Sequence, residues 1–490
     1  MKRKILILML AAVLCTTYSC SKFLDIEPVS SATDENFWKT QSDANAGTAA
    51  MYALLRKAFN DASGISFYAY GDLPSDEFRS ATNVNFDAVI KMNLNLSVPS
   101  SDTGNPMYRL RRYEIFYQVI DQANRVIQNL PKMDASAFDN EAVRNYYLGE
   151  AYFMRSFTYF YMSRIWGGVP IVRESVQPVS AVNYPAATEK EVLEQSETDL
   201  NKALTLLKWE NIAATDFAVR ANKGVAYALK AHLSAWKGDY ATCVLAADSV
   251  LQSGKYSFVG RDSLNYRTIY KGKSAEGIFE VAQNGSNESS NTGIGFYTLA
   301  APYNRMLINP IFNIDPTHIK TLFNDVKDKR LNSVFDLELN TEYAICSKYA
   351  NLSYSDETAN ARTIFKNNII VFRYSDIKLL LAEALAATNN VSRAQTILNE
   401  IRTQAGLLAW NGDGNLIEEI FAERARELFL EGHRFYDMIR LKKNFNIYKF
   451  SDQMILSHFN AKKYYWPFDP SLLNANSLLN QTPFWRSVNM

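Results

Sequence analysis

Apolar residues recur at three- and four-residue spacing along most of this chain, the pattern of helices with one face turned inward. It predicts helices over 44–58, 113–130, 141–165, 189–207, 223–236, 240–253, 374–388, 392–405 and 417–441. Turn signals separate them, among them Trp166-Gly167-Gly168-Val169-Pro170 and Lys237-Gly238-Asp239. Strand-like runs are few and short: 277–282, 369–372 and 464–466. The expected fold class is all-α.

Two helix pairs look like repeats. Ala231 lies twelve residues before Cys243 across Gly238-Asp239-Tyr240, and Ala382 lies twelve before Ala394 across Asn389-Asn390-Val391. Small residues at both places let antiparallel helices approach closely, which is tetratricopeptide-like. The exceptional elements are two long stretches, 61–106 and 283–313, rich in Asn, Ser, Gly and Tyr. Structureless loops beyond about 12–15 residues are uncommon and tend to be functional.

The N-terminus predicts an address. Lys2-Arg3-Lys4 is followed by an apolar run over 5–14 and then by Ser19-Cys20. That run is half the about twenty residues a membrane-spanning helix needs, so it reads as an export signal. Cys20 directly after a small residue predicts a lipoprotein signal over 1–19 and lipidation of its sulfur. Residues 20–36 then form a tether, and no linker divides 37–490, which is expected to be one compact body with parts at about 37–270 and 271–490.

Composition changes this picture in two ways. A net charge of +1 gives no field for nucleic acid. Aromatic residues reach 13%, enough to fill a core or to line a surface that binds flat apolar faces. Cys243 and Cys346 lie too far apart in sequence to suggest a disulfide framework, and Cys243 reads as a small core residue.

Catalytic chemistry has one candidate. Glu423, Glu427 and Glu431 fall on one face of the predicted helix 417–441, and paired carboxylates hydrolyse glycosidic bonds. However, Arg424, Arg434 and Arg440 lie at spacings that pair them with Glu427, Glu431 and Asp437. An arginine-neutralised carboxylate is a poor general acid, so a structural network is expected and a hydrolase is the rival reading. Gly432 within that helix calls for a close contact as compensation. No metal or cofactor is expected: His232, His318, His433 and His458 are scattered, His433 reads as helix surface, and no metal or nucleotide motif occurs.

Ligand binding is expected at the loops. A sugar offers an apolar face and a rim of hydroxyls, so a site needs aromatic rings and planar donors and acceptors. The first stretch supplies Tyr68, Tyr70, Asp76, Arg79, Asn83 and Asn85, and the second supplies Tyr297, Tyr303, Asn304 and Arg305. Trp410, in a predicted turn before Asn411-Gly412, is expected to be partly exposed. Trp38, Trp166, Trp236, Trp466 and Trp485 read as packing.

An ordered set of segments resembles the SusD/RagB family of outer-membrane nutrient-binding lipoproteins. Cys20 is followed by Phe23-Leu24-Asp25, Pro28 and Phe37-Trp38. Gly149-Glu150-Ala151, Arg155 and the Trp166–Pro170 turn are similar to the family's central helix, and Arg373-Tyr374-Ser375-Asp376 with Ala382-Glu383-Ala384 to a later segment. Glu423-Arg424, Glu427-Leu428, Glu431-Gly432, Arg434, Asp437 and Arg440 resemble its most specific signature, and Trp466-Pro467 and Asn480-Gln481-Thr482-Pro483 its closing segment. Lys378 and Lys22 depart from the pattern. The resemblance implies a SusD-like helical fold, non-enzymatic capture of an oligosaccharide, and delivery to a SusC-like TonB-dependent transporter. Some members handle peptides instead.

Overall fold

A computed structural model describes residues 37–175, 183–283, 293–339, 342–359 and 361–488. The signal segment, Cys20 and the tether over 20–36 lie outside the described residues, as does much of 283–293. The longer elements are α1 (Gln41–Phe59), α2 (Glu114–Asn129), α3 (Glu141–Trp166), α4 (Glu189–Leu206), α5 (Lys223–Lys237), α6 (Tyr240–Gln252), β1 (Gly277–Val281), β2 (Ile369–Arg373), α7 (Tyr374–Ala387), α8 (Val391–Gln404), α9 (Leu416–Glu427) and α10 (Arg434–Phe445). No helix among the described residues is long and apolar enough to cross a membrane.

Capping residues set most helix starts. Thr40 and Asp43 form a reciprocal capping box at α1, and Thr188 and Glu191 do the same at α4. The box extends α1 beyond the start of its apolar periodicity at 44. Gly238, at φ +79°, ends α5 in the left-handed conformation and lets the chain fold straight back into α6.

Each helix from α1 to α7 packs on its successor, apart from the β1–β2 insertion, and α8 and α9 both pack on α7. The expected hairpins are α5–α6 and α7–α8. Ala231, Cys243, Ala382 and Ala394 are fully buried in them. Helix α3 is the central one. Every residue from Phe153 to Trp166 is buried, so its second half faces protein all round. Two of its charged groups are paired with neighbouring elements. Arg155 grips Asp199 of α4 with two bonds of 2.7 and 2.8 Å, and Glu150 grips Arg220 with two of 2.7 and 2.8 Å.

The two main strands pair antiparallel, β1 on β2, with Gly277 opposite Arg373. Residues 464–466 form no strand. Trp466 N–H donates instead to the Ile165 carbonyl at the end of α3, at 2.8 Å. The predicted helix 417–441 is also corrected. It breaks after Glu427 into α9 and α10, because Leu430 at φ +59° and Gly432 at φ +76° turn the chain. Gly432 is therefore a turn residue, and the close contact expected of it exists: a Cβ there would lie 2.4 Å from the Phe67 ring.

Candidate functional site

The two long stretches are not structureless. The first contains short helices Ser66–Gly71 and Val84–Ile90 and ends where a third, Pro106–Leu110, begins, and the second contains Ile294–Thr298. They meet in a two-residue antiparallel ladder, Ser80 opposite Asn313 and Ala81 opposite Phe312. Arg79 N–H to Asn313 O at 2.8 Å and Thr82 N–H to Ile311 O at 2.9 Å extend it.

Packing divides the expected ligand residues into two groups. Tyr68, Tyr70, Tyr297 and Asn304 are buried and hold the loops down. Helix Ser66–Gly71 buries all its residues, so Tyr70 sets its ring edge-on to Trp466 at 4.9 Å and donates its hydroxyl to Leu110 O at 2.8 Å. Tyr68 meets Tyr349 edge-on at 5.7 Å. Tyr297 stacks on Phe312 at 4.7 Å and donates to Ser63 O at 2.9 Å. Asn304 staples its own loop, donating to Phe296 O at 3.0 Å and accepting from Met306 N–H at 3.1 Å. With their faces covered, these four are corrected from ligand contacts to loop anchors.

The second group stays open. Arg79 and Asn83 are exposed, and Asp76, Asn85, Tyr303, Arg305 and Trp410 are half-buried. Asn83 caps the helix Val84–Ile90. Arg305 lies over the Tyr354 ring at 3.7 Å, and the Tyr354 hydroxyl donates to Tyr303 O at 3.1 Å. Trp410 is pinned in the α8–α9 turn, its indole N–H donating to Asp413 O at 3.1 Å.

Asp76 and Arg79 open onto a cleft of 550 Å³ walled also by Phe78, Lys91, His318 and Gln453. The last four are site residues that sequence spacing does not mark. His318 and Gln453 reach the cleft only because 316–322 and 451–453 fold beside the first loop. Burial holds His318 below its ordinary pKa, so at neutral pH its ring carries one donor and one acceptor. Behind Asp76, Arg434 makes a bidentate pair of 2.7 and 2.6 Å. Burial alone would raise the Asp76 carboxyl, but Arg434 outweighs it and holds it below its usual value. Arg434 in turn lines a second cleft of 500 Å³, bordered by Asp413, Gly414 and Asn415 of the Trp410 turn.

The first loop is also tied to the α9–α10 turn. Gly432 N–H donates to Asp72 at 2.7 Å, and Leu430 N–H lies 3.3 Å from both Glu77 oxygens. Burial pushes Asp72 up to about 8 and Glu77 well above the carboxylate range.

The charged signature forms a buried network, though with other partners than local spacing suggests. Glu423 pairs with Arg330 at 2.7 Å and Arg426 at 2.7 Å. Glu427 pairs with Arg261 at 2.6 Å, Arg373 at 2.8 Å and Arg330 at 2.9 Å. Glu431 pairs with Arg373 at 2.6 Å and Lys348 at 2.8 Å. Of the pairs that local spacing suggests, Arg440 with Asp437 forms, at 2.8 Å; Arg424 instead reaches Asp437 across the break, at 2.7 Å, and Arg434 goes to Asp76. Burial would raise all three glutamates, yet the cations prevail: Glu423 sits at about 2, Glu427 well below its normal value and Glu431 below it.

His433 is corrected from surface to core. It is buried and stacks on His232 at 5.7 Å, and His232 in turn bonds Asp376 at 2.7 Å. Among the described residues no group of His, Cys, Asp and Glu is arranged to hold a metal ion.

Similar proteins share this architecture. A model described as the SusD family matches residues 332–485, and one described as starch-binding associating with outer membrane matches 22–234. SusD-like protein P38 of Formosa agariphila is 29% identical over 87% of this chain and 88% of its own length. A SusD superfamily protein of Bacteroides thetaiotaomicron superposes with a TM-score of 0.79 at 25% identity, over 91% of this chain and 99% of that one. A SusD homolog of the same organism superposes with a TM-score of 0.77 at 25% identity, over 91% and 98%. The same helical frame, the two family models and the relative matched along most of its length lead to one conclusion: this chain belongs to the SusD/RagB family.

Proposed function

We propose that this chain is a non-enzymatic, lipid-anchored surface protein that captures an oligosaccharide in the cleft at Asp76 and Arg79 and passes it to a SusC-like TonB-dependent transporter. The cleft carries the binding half of this reading. Arg79 offers a planar fork of donors, the Asp76 carboxylate accepts, and His318 and Gln453 do both, which suits neighbouring sugar hydroxyls. The starch-binding description of the model matching 22–234 supports the ligand class. The non-enzymatic half is supported by the glutamate network: acids held low by arginine have no proton to donate at neutral pH.

Calorimetry against a panel of neutral and acidic oligosaccharides tests the ligand. One member is expected to bind, and Arg79→Ala is expected to weaken it about 10- to 100-fold, the loss of about 1.5–3 kcal/mol from a charged hydrogen bond. Binding to peptides with no glycan bound at any concentration tried would overturn the ligand class.

The anchor is tested separately. Cys20→Ser is expected to move the protein from the membrane fraction to the soluble one, since two acyl chains are needed for stable attachment. It should also end co-purification of a large β-barrel from solubilised outer membrane. A serine variant that stays membrane-bound would refute the anchor.

A further inference from the structure

The two clefts either side of the Asp76–Arg434 pair share their walls. Helix Pro316–Leu322 gives His318 to the first and Leu322 to the second. Four residues apart, these two lie on one helix face, about 6 Å from each other along its axis. The segment 449–453 does the same, with Ser451 and Gln453 on the first cleft and Lys449 on the second. We propose that the clefts are two halves of one groove, and that its ligand is an extended oligosaccharide lying across the Asp76–Arg434 pair.

The second half carries free hydrogen-bonding groups that solvent reaches. Arg434 uses Nε and Nη2 on Asp76, at 2.7 and 2.6 Å. Its Nη1 has no partner among the described residues, and the side chain keeps 14% of its surface open. Arg434 lines the second cleft and not the first, so that open part faces the second. Asn415 is exposed, and its Oδ1 caps α9 by accepting from Ile417 N–H at 2.9 Å, which leaves its amide nitrogen to donate. Asp413 is exposed too, and accepts from Asn411 at 2.6 Å through Oδ2, so Oδ1 is an open acceptor.

Trp410 fixes the turn that bears these groups. Its backbone N–H donates to Asn399 at 2.7 Å and its indole N–H to Asp413 O at 3.1 Å. A ligand therefore meets donors and an acceptor on a turn already held in place, which lowers the ordering cost of binding. Leu322 and Ala422, both half-buried, supply apolar surface for the C–H face of a ring. Size decides for one long ligand. The clefts, of 550 and 500 Å³, each fall within the about 300–1,000 Å³ of small-molecule sites, so a short ligand would occupy one and leave the other. The divide between them is polar. Asp76 and Arg434 keep 29% and 14% of their side-chain surfaces open, so a chain of hydroxyls crossing them meets a carboxylate and the edge of a guanidinium.

The proposal rests on the carbohydrate reading above, and its test separates the two. The full-length protein is titrated calorimetrically with homologous ladders of neutral and acidic glycans, each running from disaccharide to heptasaccharide. In the series that binds, affinity is expected to rise at least about ten-fold along the ladder and then level off, as for two or more added hydrogen bonds. Asn415→Asp keeps the helix cap but removes the amide donor, and Asp413→Ala removes the open acceptor. Each should cut the gain with length about three- to ten-fold. Arg79→Ala should instead weaken short and long members alike. Affinity that stays flat with length, or a gain that both variants keep in full, overturns the groove and leaves binding at Arg79 standing. If no member of any series binds, the carbohydrate reading falls and the groove with it.

Discussion

Arg373→Ala is expected to lower the unfolding free energy by about 3–5 kcal/mol, the cost of removing one partner from a buried ion pair. The side chain is fully buried and touches three carboxylates, Glu276 at 2.9 Å, Glu427 at 2.8 Å and Glu431 at 2.6 Å. It also donates to the Glu427 carbonyl at 2.8 Å. Alanine would leave those acids short of a cation in a site shielded from solvent, and Arg261, Arg330 and Lys348 already serve partners of their own. Arg373→Lys keeps the charge but not the fork, so it should recover only part of the loss. Urea denaturation of the full-length protein measures both. A change below about 1 kcal/mol in the alanine variant, the size of a surface pair, would show that the network is not what holds β2 to the α9–α10 turn.

Gly432→Ala is expected to cost about 3 kcal/mol and to weaken ligand binding at the cleft. Two penalties add. Gly432 sits at φ +76°, where a Cβ costs about 1–2 kcal/mol. The new methyl would also lie 2.4 Å from the Phe67 ring, and overpacking costs about 1–3 kcal/mol. The backbone has little room to yield, because a Cβ on Gly71 would already meet Gly432 O at 2.2 Å. The functional effect follows from position. The same turn donates to Asp72 and leads into Arg434, which holds Asp76 in the cleft. A double-mutant cycle with Phe67→Ala separates the penalties: the two changes should couple by about 1 kcal/mol or more if the clash is real. Strict additivity would leave only the backbone term.

The helical frame was legible because its signals are local. Residues 141–165 and 189–207 carry enough apolar positions at helical spacing to mark α3 and α4 almost to the residue. The break at 428–433 was not legible. Leu430 continues the apolar periodicity, and the left-handed turn there is stabilised by Asp72 and Glu77, more than 350 positions away in the chain. The same distance explains the loop tyrosines. Asn- and Gly-rich surroundings suggested exposure for Tyr68, Tyr70 and Tyr297, but Tyr349, Trp466 and Phe312 cover their rings. Arg79 stays exposed and Asp76 half-buried where the loop borders the cleft.

Taken by itself, the sequence determined most of the helices and their two hairpins, since these depend on neighbours within a few turns. Tertiary structure decided which cation meets which glutamate, which aromatics face inward, and that His232 and His433 stack in the core. It also decided the two clefts either side of the Asp76–Arg434 pair. Each of these depends on which distant segment fills the space beside a residue, and burial and pairing across that space carry no periodicity along the chain.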